Sequence, residues 1–338
     1  MRIINESTIP DRSLPGLPTS AYGAVPQQGA GGQYVTVGRR RRGGRVRKKQ
    51  ERRKDREVEI RVGSLNVGTM TGKGRKLAAD MMEKRKIDVL CVQETKWRGS
   101  KGRLVGGGCK LFYYGLDGKR NGTGVIVKEK YINSVLEVKR VSDRVMSLKM
   151  EIEGIQINVI SAYAPQVGCE LDEKEFWSEV EEVIQDIPRE ERIVIGPHFN
   201  GHIGEGNNGD EDVMGKYGVG ERNAEGQMVV DCAKRMEIAL VKTYFKKREE
   251  HRVTYMNGGR STQVDFILCR RCNLKEFSDC KVVPGESVAR QHRVLIGNLS
   301  LKVKARRKVR TEPKIKWWKL KEEEYNTAFK QEERAKLW

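Results

Sequence analysis

Five polar residues share one placing in this chain. Asn66 in GSLNV, Glu94 in VQET, Tyr163 in SAYAP, Asn200 in IGPHFNGHIG and Asp265 in STQVDFIL each accompany the end of a hydrophobic, strand-like run. A sixth, His292 in ARQHRVL, stands at the start of such a run. Carboxylates are hard oxygen ligands suited to a divalent cation. Amides, a phenol and an imidazole can donate hydrogen bonds to phosphate oxygens. Polar groups at strand ends lie on the rim of a sheet, where a rigid scaffold aims them at one point. Each alone is an ordinary strand-end or turn residue. Six in this order point to phosphate or metal chemistry.

The elements that must carry them follow from periodicity. Residues 58–67 alternate apolar and polar like a strand, and 87–95 form a continuous apolar run, as in a buried strand feeding a loop. Residues 73–86 read as an amphipathic helix with Leu77, Met81 and Met82 on one face. Further strands are expected at 110–115, 124–128, 134–141, 144–152, 155–164 and 192–196, with helices at about 171–186 and 224–236. The segments RVTYM, QVDFILC, CKVVP and RVLIGNLSL supply the last strands, and a Gly-rich loop spans 204–220. Many short strands with a few helices fit an α/β fold of two sheets packed face to face with helices outside. No internal repeat of fixed period is present.

Charge divides the 338 residues further. The chain holds 66 Lys and Arg against 46 Asp and Glu, a formal +20. Residues 39–56 hold 12 basic and 2 acidic side chains, and 302–321 hold 10 and 1; with 1–38 at zero and 322–338 at −2, residues 57–301 are left at only +3. The expected organisation is a disordered basic arm (1–57), one domain (58–301), and a basic linker with a short C-terminal helix (302–338). Two cationic arms suit a polyanion, and nucleic acid is favoured over a membrane because neither arm has a good amphipathic apolar face. The chain shows neither a membrane-length apolar run nor a secretory signal, and its seven cysteines read as reduced thiols of the cytosol or nucleus. The run at 39–56 reads as a nuclear address, a polyphosphate tether or a solvated linker.

The order of these motifs resembles the endonuclease/exonuclease/phosphatase superfamily and, more narrowly, the apurinic-type endonuclease domain of RTE-like non-LTR retrotransposons. The resemblance covers about residues 58–301, and KIKWWKLKEEEYNTAF resembles the linker that precedes reverse transcriptase in such elements. It implies a DNase I-like, four-layer α/β sandwich and a Mg2+-dependent endonuclease, with Mn2+ as the alternative ion. By resemblance Glu94 binds the metal, and Asn66 supports the metal and the phosphate. Tyr163 lies near the scissile phosphate and Asn200 helps hold the attacking water. His292 binds the phosphoryl oxygen, and Asp265 orients it. The implied partner is DNA, or RNA, gripped through 39–56 and 302–321, in the nucleus or the cytoplasm.

Two positions depart from the family pattern. Gly196-Pro197-His198-Phe199-Asn200 stands where the family has Gly-Asp-x-Asn, so His198 replaces the Asp expected to orient or deprotonate the attacking water. An imidazole near its ordinary pKa of ~6.5 can act as a base, so His198 is counted with the catalytic residues. Gln291 replaces a second Asp, before His292. Two other readings compete with the enzyme: a nucleic-acid-binding protein that keeps the fold without the chemistry, and a phosphoesterase for a small molecule or lipid. Weaker signals are read structurally. CRRC at 269–272 lacks the second half of a zinc site, and 204–215 has the composition but not the spacing of an EF-hand. His202 and His251 carry no expected role, and Trp317 and Trp318 could stack on bases or pack on protein.

Overall fold

The computed structural model describes residues 56–166, 170–207, 209–286, 288–303 and 317–336. The expectations for 1–55 and for the linker at 304–316 lie outside the described residues. In chain order the elements are β1 (Arg56–Asn66), α1 (Gly74–Arg85), β2 (Val89–Gln93), β3 (Gly102–Gly106), β4 (Cys109–Tyr114), β5 (Thr123–Val127) and β6 (Val135–Arg140). There follow β7 (Val145–Ile152), β8 (Ile155–Tyr163), α2 (Glu170–Gln185), β9 (Arg192–His198), α3 (Ala224–Arg235) and β10 (Ile238–Leu240). The chain continues through β11 (Tyr255–Asn257), β12 (Arg260–Thr262), β13 (Leu268–Arg270), β14 (Phe277–Val282), β15 (Leu295–Val303) and α4 (Glu323–Lys336).

Two mixed sheets carry the fold. The first runs β14-β15-β1-β2-β5-β4-β3, the second β10-β13-β9-β8-β7-β6. Strands such as β2, buried at all five positions, read as continuous hydrophobic runs because both their faces are covered. Val89 and Cys91 face the second sheet in a core with Leu148, Val159 and Val194, while Leu90 and Val92 face α1 in a core with Met81 and Met82. Across the second sheet, Ile160 and Ile195 pack on Phe176 and Val180 of α2 and Val229 and Val230 of α3. Three cores separate four layers, helix, sheet, sheet, helix, and each fully buried aliphatic side chain contributes about 1.5–3 kcal/mol. The expected four-layer α/β sandwich is the observed fold.

Each sheet has one pair of parallel neighbours central to the site, β1 with β2 and β8 with β9, and both pairs end at the cleft. Carboxyl ends of adjacent parallel strands are where open α/β sheets place ligands. The sheets meet closely there. A Cβ on Gly196 of β9 would lie 2.7 Å from Cys91 Cβ and 3.2 Å from Ser64 Cβ, so only glycine fits. Beside it Gln93 Nε2 donates to Gly196 O (2.7 Å) and to Ser161 Oγ (3.2 Å), and Ser161 Oγ donates to Val92 O (3.1 Å). At the opposite end, Arg56 pairs with Val303, so the points where the two cationic arms join the sheet are neighbours. The 11 residues of β1 place those points roughly 35 Å from Asn66.

Several expectations are corrected. Leu77 is exposed rather than on the buried face of α1, whose core positions are Ala78, Ala79, Met81 and Met82. RVTYM is not one strand: a 3-10 turn at Glu249–His251 leads into β11, which forms a separate hairpin with β12. QVDFILC is ladder-paired only from Leu268, because the N–H groups of Val264 and Asp265 donate to the Thr254 hydroxyl instead. Asp265 therefore precedes a strand rather than ending one. The short strands β3 and β10 lack a readable sequence signal. The basic run enters the fold at Arg56, two residues before the expected start, and β15 continues to Val303, two past the expected end. None of the described helices is long and apolar enough to cross a membrane.

Candidate active site

Glu94 follows β2 in a left-handed conformation (φ 55°), uncommon for a residue with a Cβ. That turn aims the carboxylate across the rim. Its Oε1 accepts from Asn66 Nδ2 (2.8 Å) and from the Tyr163 hydroxyl (3.0 Å), and its Oε2 lies 3.2 Å from Lys96 Nζ. Burial alone would raise the Glu94 pKa; the bonds from Asn66, Lys96 and Tyr163 outweigh it and hold the carboxyl below its usual range. Glu94 is thus an ionised, hydrogen-bonded carboxylate at the cleft. Burial, and then the Glu94 charge, push the Tyr163 phenol well above its ordinary value, so it serves as a donor and not a base.

The second cluster centres on Asp265, which is wholly buried. Its Oδ1 is 2.8 Å from His198 Nδ1, and its Oδ2 is 3.1 Å from His292 Nδ1. His198 Nε2 is 2.8 Å from Asn200 Oδ1. The Asn200 amide is oriented by its own bonds, since Nδ2 donates to Ala164 O and Pro165 O, both at 3.1 Å. Asn200 Oδ1 can only accept, so His198 Nε2 carries a proton. Nδ1 faces a carboxylate and carries one too. His198 is a buried imidazolium. Burial by itself would lower its pKa, but Asp265, the Asn200 bond and the Glu94 charge raise it. Burial would likewise raise Asp265, yet the two histidines hold it far below the ordinary carboxylate range.

The two clusters adjoin: the Tyr163 and His198 rings are 5.7 Å apart, and His198 and His292 are 4.8 Å apart. Five of the expected residues, Glu94, Tyr163, His198, Asp265 and His292, line this path, flanked by Asn66 and Asn200. Three expected roles change. His198 has no free lone pair and cannot serve as a base until it loses a proton. Asn200 uses its amide hydrogens on backbone carbonyls, so it fixes His198 rather than donating to an attacking water. Asn66 Oδ1 receives the Gly68 N–H (3.0 Å), which turns Nδ2 toward Glu94; Asn66 positions the carboxylate instead of offering oxygen to a metal. His292 is held through Nδ1 by Asp265, and Tyr255 packs on its ring at 4.9 Å. Gln291 is exposed, with its carbonyl accepting from Met256 N (2.9 Å).

Glu94 fits a hard divalent cation such as Mg2+, which needs only one or two carboxylates and keeps several waters. The Lys96 ammonium on Oε2 stands where positive charge is favoured. His198, Asp265 and His292 also converge, with ligand atoms within 4.8 Å of one another, but direct hydrogen bonds join them as a triad. Among the described residues the cysteines join no such group; Cys269 and Cys280 are buried in strands. The acidic loop is pinned rather than calcium-binding, since Asp210 pairs with Arg222 (2.6 Å) and with Lys234.

Residues missed from sequence include Lys96, Tyr255 and Arg144. The Arg144 guanidinium lies 5.4 Å over the Tyr163 ring and donates to Tyr163 O (3.3 Å). Lys96 lies two residues past Glu94 and could have been found by that spacing; Arg144 and Tyr255 are brought in only by strand pairing.

No protein-family model matches the chain. The stretches at 221–277 and 285–293 resemble craniofacial development protein 2-like proteins, and comparison bears this out. Craniofacial development protein 2 of Bos taurus is 25% identical over 250 residues, 73% of this chain and 42% of that protein. The chain thus spans less than half the length of the curated relatives it matches. Among solved structures, an AP endonuclease from Archaeoglobus fulgidus superposes with a TM-score of 0.54 at 17% identity, over 71% of this chain and 99% of that one. The endonuclease domain of TRAS1, a telomere-specific non-LTR retrotransposon, does so with a TM-score of 0.50 at 14% identity, over 71% and 98%. The fold is the DNase I-like fold of these nucleases, in keeping with the superfamily that the motifs resemble.

Proposed function

We propose that the protein is a divalent-metal-dependent nuclease-like phosphodiesterase that nicks DNA, related to a retrotransposon endonuclease. The observation that carries this reading is the ionised Glu94, held by Asn66 and Tyr163, adjoining through Tyr163 and His198 a His292 whose Nδ1 is held by Asp265. A cation on Glu94, Mg2+ or Mn2+, would supply positive charge to non-bridging phosphate oxygens. The Tyr163 side and His292 Nε2 would add hydrogen-bonding capacity where charge develops. The arms, joined to the fold at Arg56 and Val303, would hold nucleic acid electrostatically and favour a nuclear protein.

One observation favours a second reading, a nucleic-acid-binding protein impaired in catalysis. Both His198 nitrogens are occupied, so the position expected to activate water offers no acceptor. Hydrolysis through His198 would require loss of its proton and would rise with pH. A plasmid-nicking assay with Mg2+ separates the readings, using wild type, Glu94→Ala and His198→Asp. The enzyme reading expects nicking by wild type and none by Glu94→Ala. Equal background in those two, with nicking gained in His198→Asp, overturns it in favour of the binding protein.

A further inference from the structure

Asp265 must reach two histidines from an irregular segment, and one side chain fixes that segment. Thr254 is wholly buried, just before β11. Its Oγ1 accepts from Val264 N (3.0 Å) and from Asp265 N (3.1 Å). Its backbone N donates to Thr262 O (2.9 Å), and its carbonyl accepts from Arg293 N (2.8 Å). From the other side the end of β9 holds the segment by two backbone bonds besides the His198 ring: Phe199 N donates to Val264 O (3.0 Å) and Phe266 N to Pro197 O (3.2 Å). Thr254 therefore ties together the residue that carries the carboxylate and the segment, just before β15, that carries His292.

We infer that Thr254 is a positioning residue, whose hydroxyl sets Asp265 between His198 and His292. The inference rests on the reading of this cleft as the reactive site. An apolar isostere would leave two buried N–H donors unpaired at the very residue that bridges the histidines. Without the hydroxyl the Asp265 backbone is held from one side only, and both imidazole bonds lengthen. A side chain that merely filled space would be replaced by Val without such an effect, since Val keeps the volume. Serine keeps the hydroxyl and removes only the methyl group.

The test follows the histidine rings directly. The chain has four histidines, so ring-nitrogen NMR with single His substitutions for assignment resolves His198 and His292. The full-length Thr254→Val protein is expected to shift both ring signals and to move the His198 titration toward lower pH, with His202 and His251 unmoved. Thr254→Ser is expected to restore the wild-type signals. In an Asp265→Asn background, adding Thr254→Val should change the His198 titration no further. Where wild type nicks DNA, Thr254→Val should lower kcat about tenfold or more with little change in KM. Lowered stability with unmoved ring signals, or a serine variant that does not restore them, overturns the proposal. If the valine variant does not fold, hydrogen exchange in wild type decides: Val264 and Asp265 amides must be protected, and exchange at open-loop rates overturns it. If wild type lacks nicking activity, the proposed function fails while the ring titrations still decide the role of Thr254.

Discussion

Replacing Asp265 with Asn tests the charge state of His198 most sharply. Asn keeps the shape of the side chain and one acceptor, so packing is little disturbed. What goes is the counter-charge to an imidazolium that is itself buried. Removing one partner of a buried ion pair costs about 3–5 kcal/mol, out of a total stability of about 5–15 kcal/mol. The pH dependence is the distinctive part. In wild type the His198 pKa is raised above its ordinary 6.5. The stability this proton contributes is complete below about 6.5 and is lost as pH rises through the raised value. In the variant burial, the largest influence on the ring, is unopposed by the carboxylate and drives it neutral. Each fall of one pH unit below about 6.5 then costs up to ~1.4 kcal/mol, as the unfolded chain takes up a proton that the folded one refuses. Asp265 itself adds nothing to this window, because its lowered pKa affects stability only as pH falls below about 4. The gap between the two proteins should therefore widen from pH 8.5 to pH 5.5. Urea unfolding followed by tryptophan fluorescence at three pH values measures it as a shift in midpoint at unchanged slope. A penalty that stays constant, or shrinks on acidification, would mean that His198 is neutral in wild type, and the base role would be open again.

Two further outcomes are expected. Lys242 is buried with no partner for Nζ among the described residues, and burial lowers its pKa from 10.5 to about 7. That depression destabilises the fold by up to ~5 kcal/mol below pH 7, and the effect fades toward pH 10; Lys242→Met should raise the melting temperature at pH 7 by more than at pH 10. Deleting 39–55, which leaves β1 intact, should flatten the plot of log DNA affinity against log salt by several units, since each phosphate contact contributes ~0.9. An unchanged slope in a salt titration would sink the tether role of that arm.

Much of the scaffold was legible because its strands are covered on both sides. Runs such as IDVLCVQET and IQINVISAYA stand out by composition alone, and turn residues mark their ends. Their ends carry Asn66, Glu94 and Tyr163, so that part of the cleft could be read directly. Leu77 misled because the helical period was right and its phase was not: the stripe on α1 centres on Ala78 and Met82. The state of His198 was beyond reach for a different reason. It depends on Asp265, 67 residues away, and on Asn200, whose amide is turned by the carbonyls of Ala164 and Pro165. Spacing reports which residue occupies a position; it does not report how many acceptors surround it. Thr254 was silent as well, since a hydroxyl that replaces a ladder partner leaves no periodic trace.

The close approach at Gly196 gives the cleft a property beyond its chemistry. Asn66 ends β1, Glu94 follows β2 and His292 precedes β15 of one sheet, while Tyr163 and His198 end β8 and β9 of the other, to which Asp265 is bridged at His198. The bonds from Tyr163 to Glu94 and from His292 to Asp265 both cross between them. The cleft is therefore a gauge of how tightly two slabs are pressed together. Swelling of the interior by a few tenths of an ångström would pull the carboxylate half away from the imidazole half while each slab kept its own ladder. On the proposed function, cation affinity should fail under mild stress before any strand melts, and its return on refolding would mark the last fitting together of the two faces.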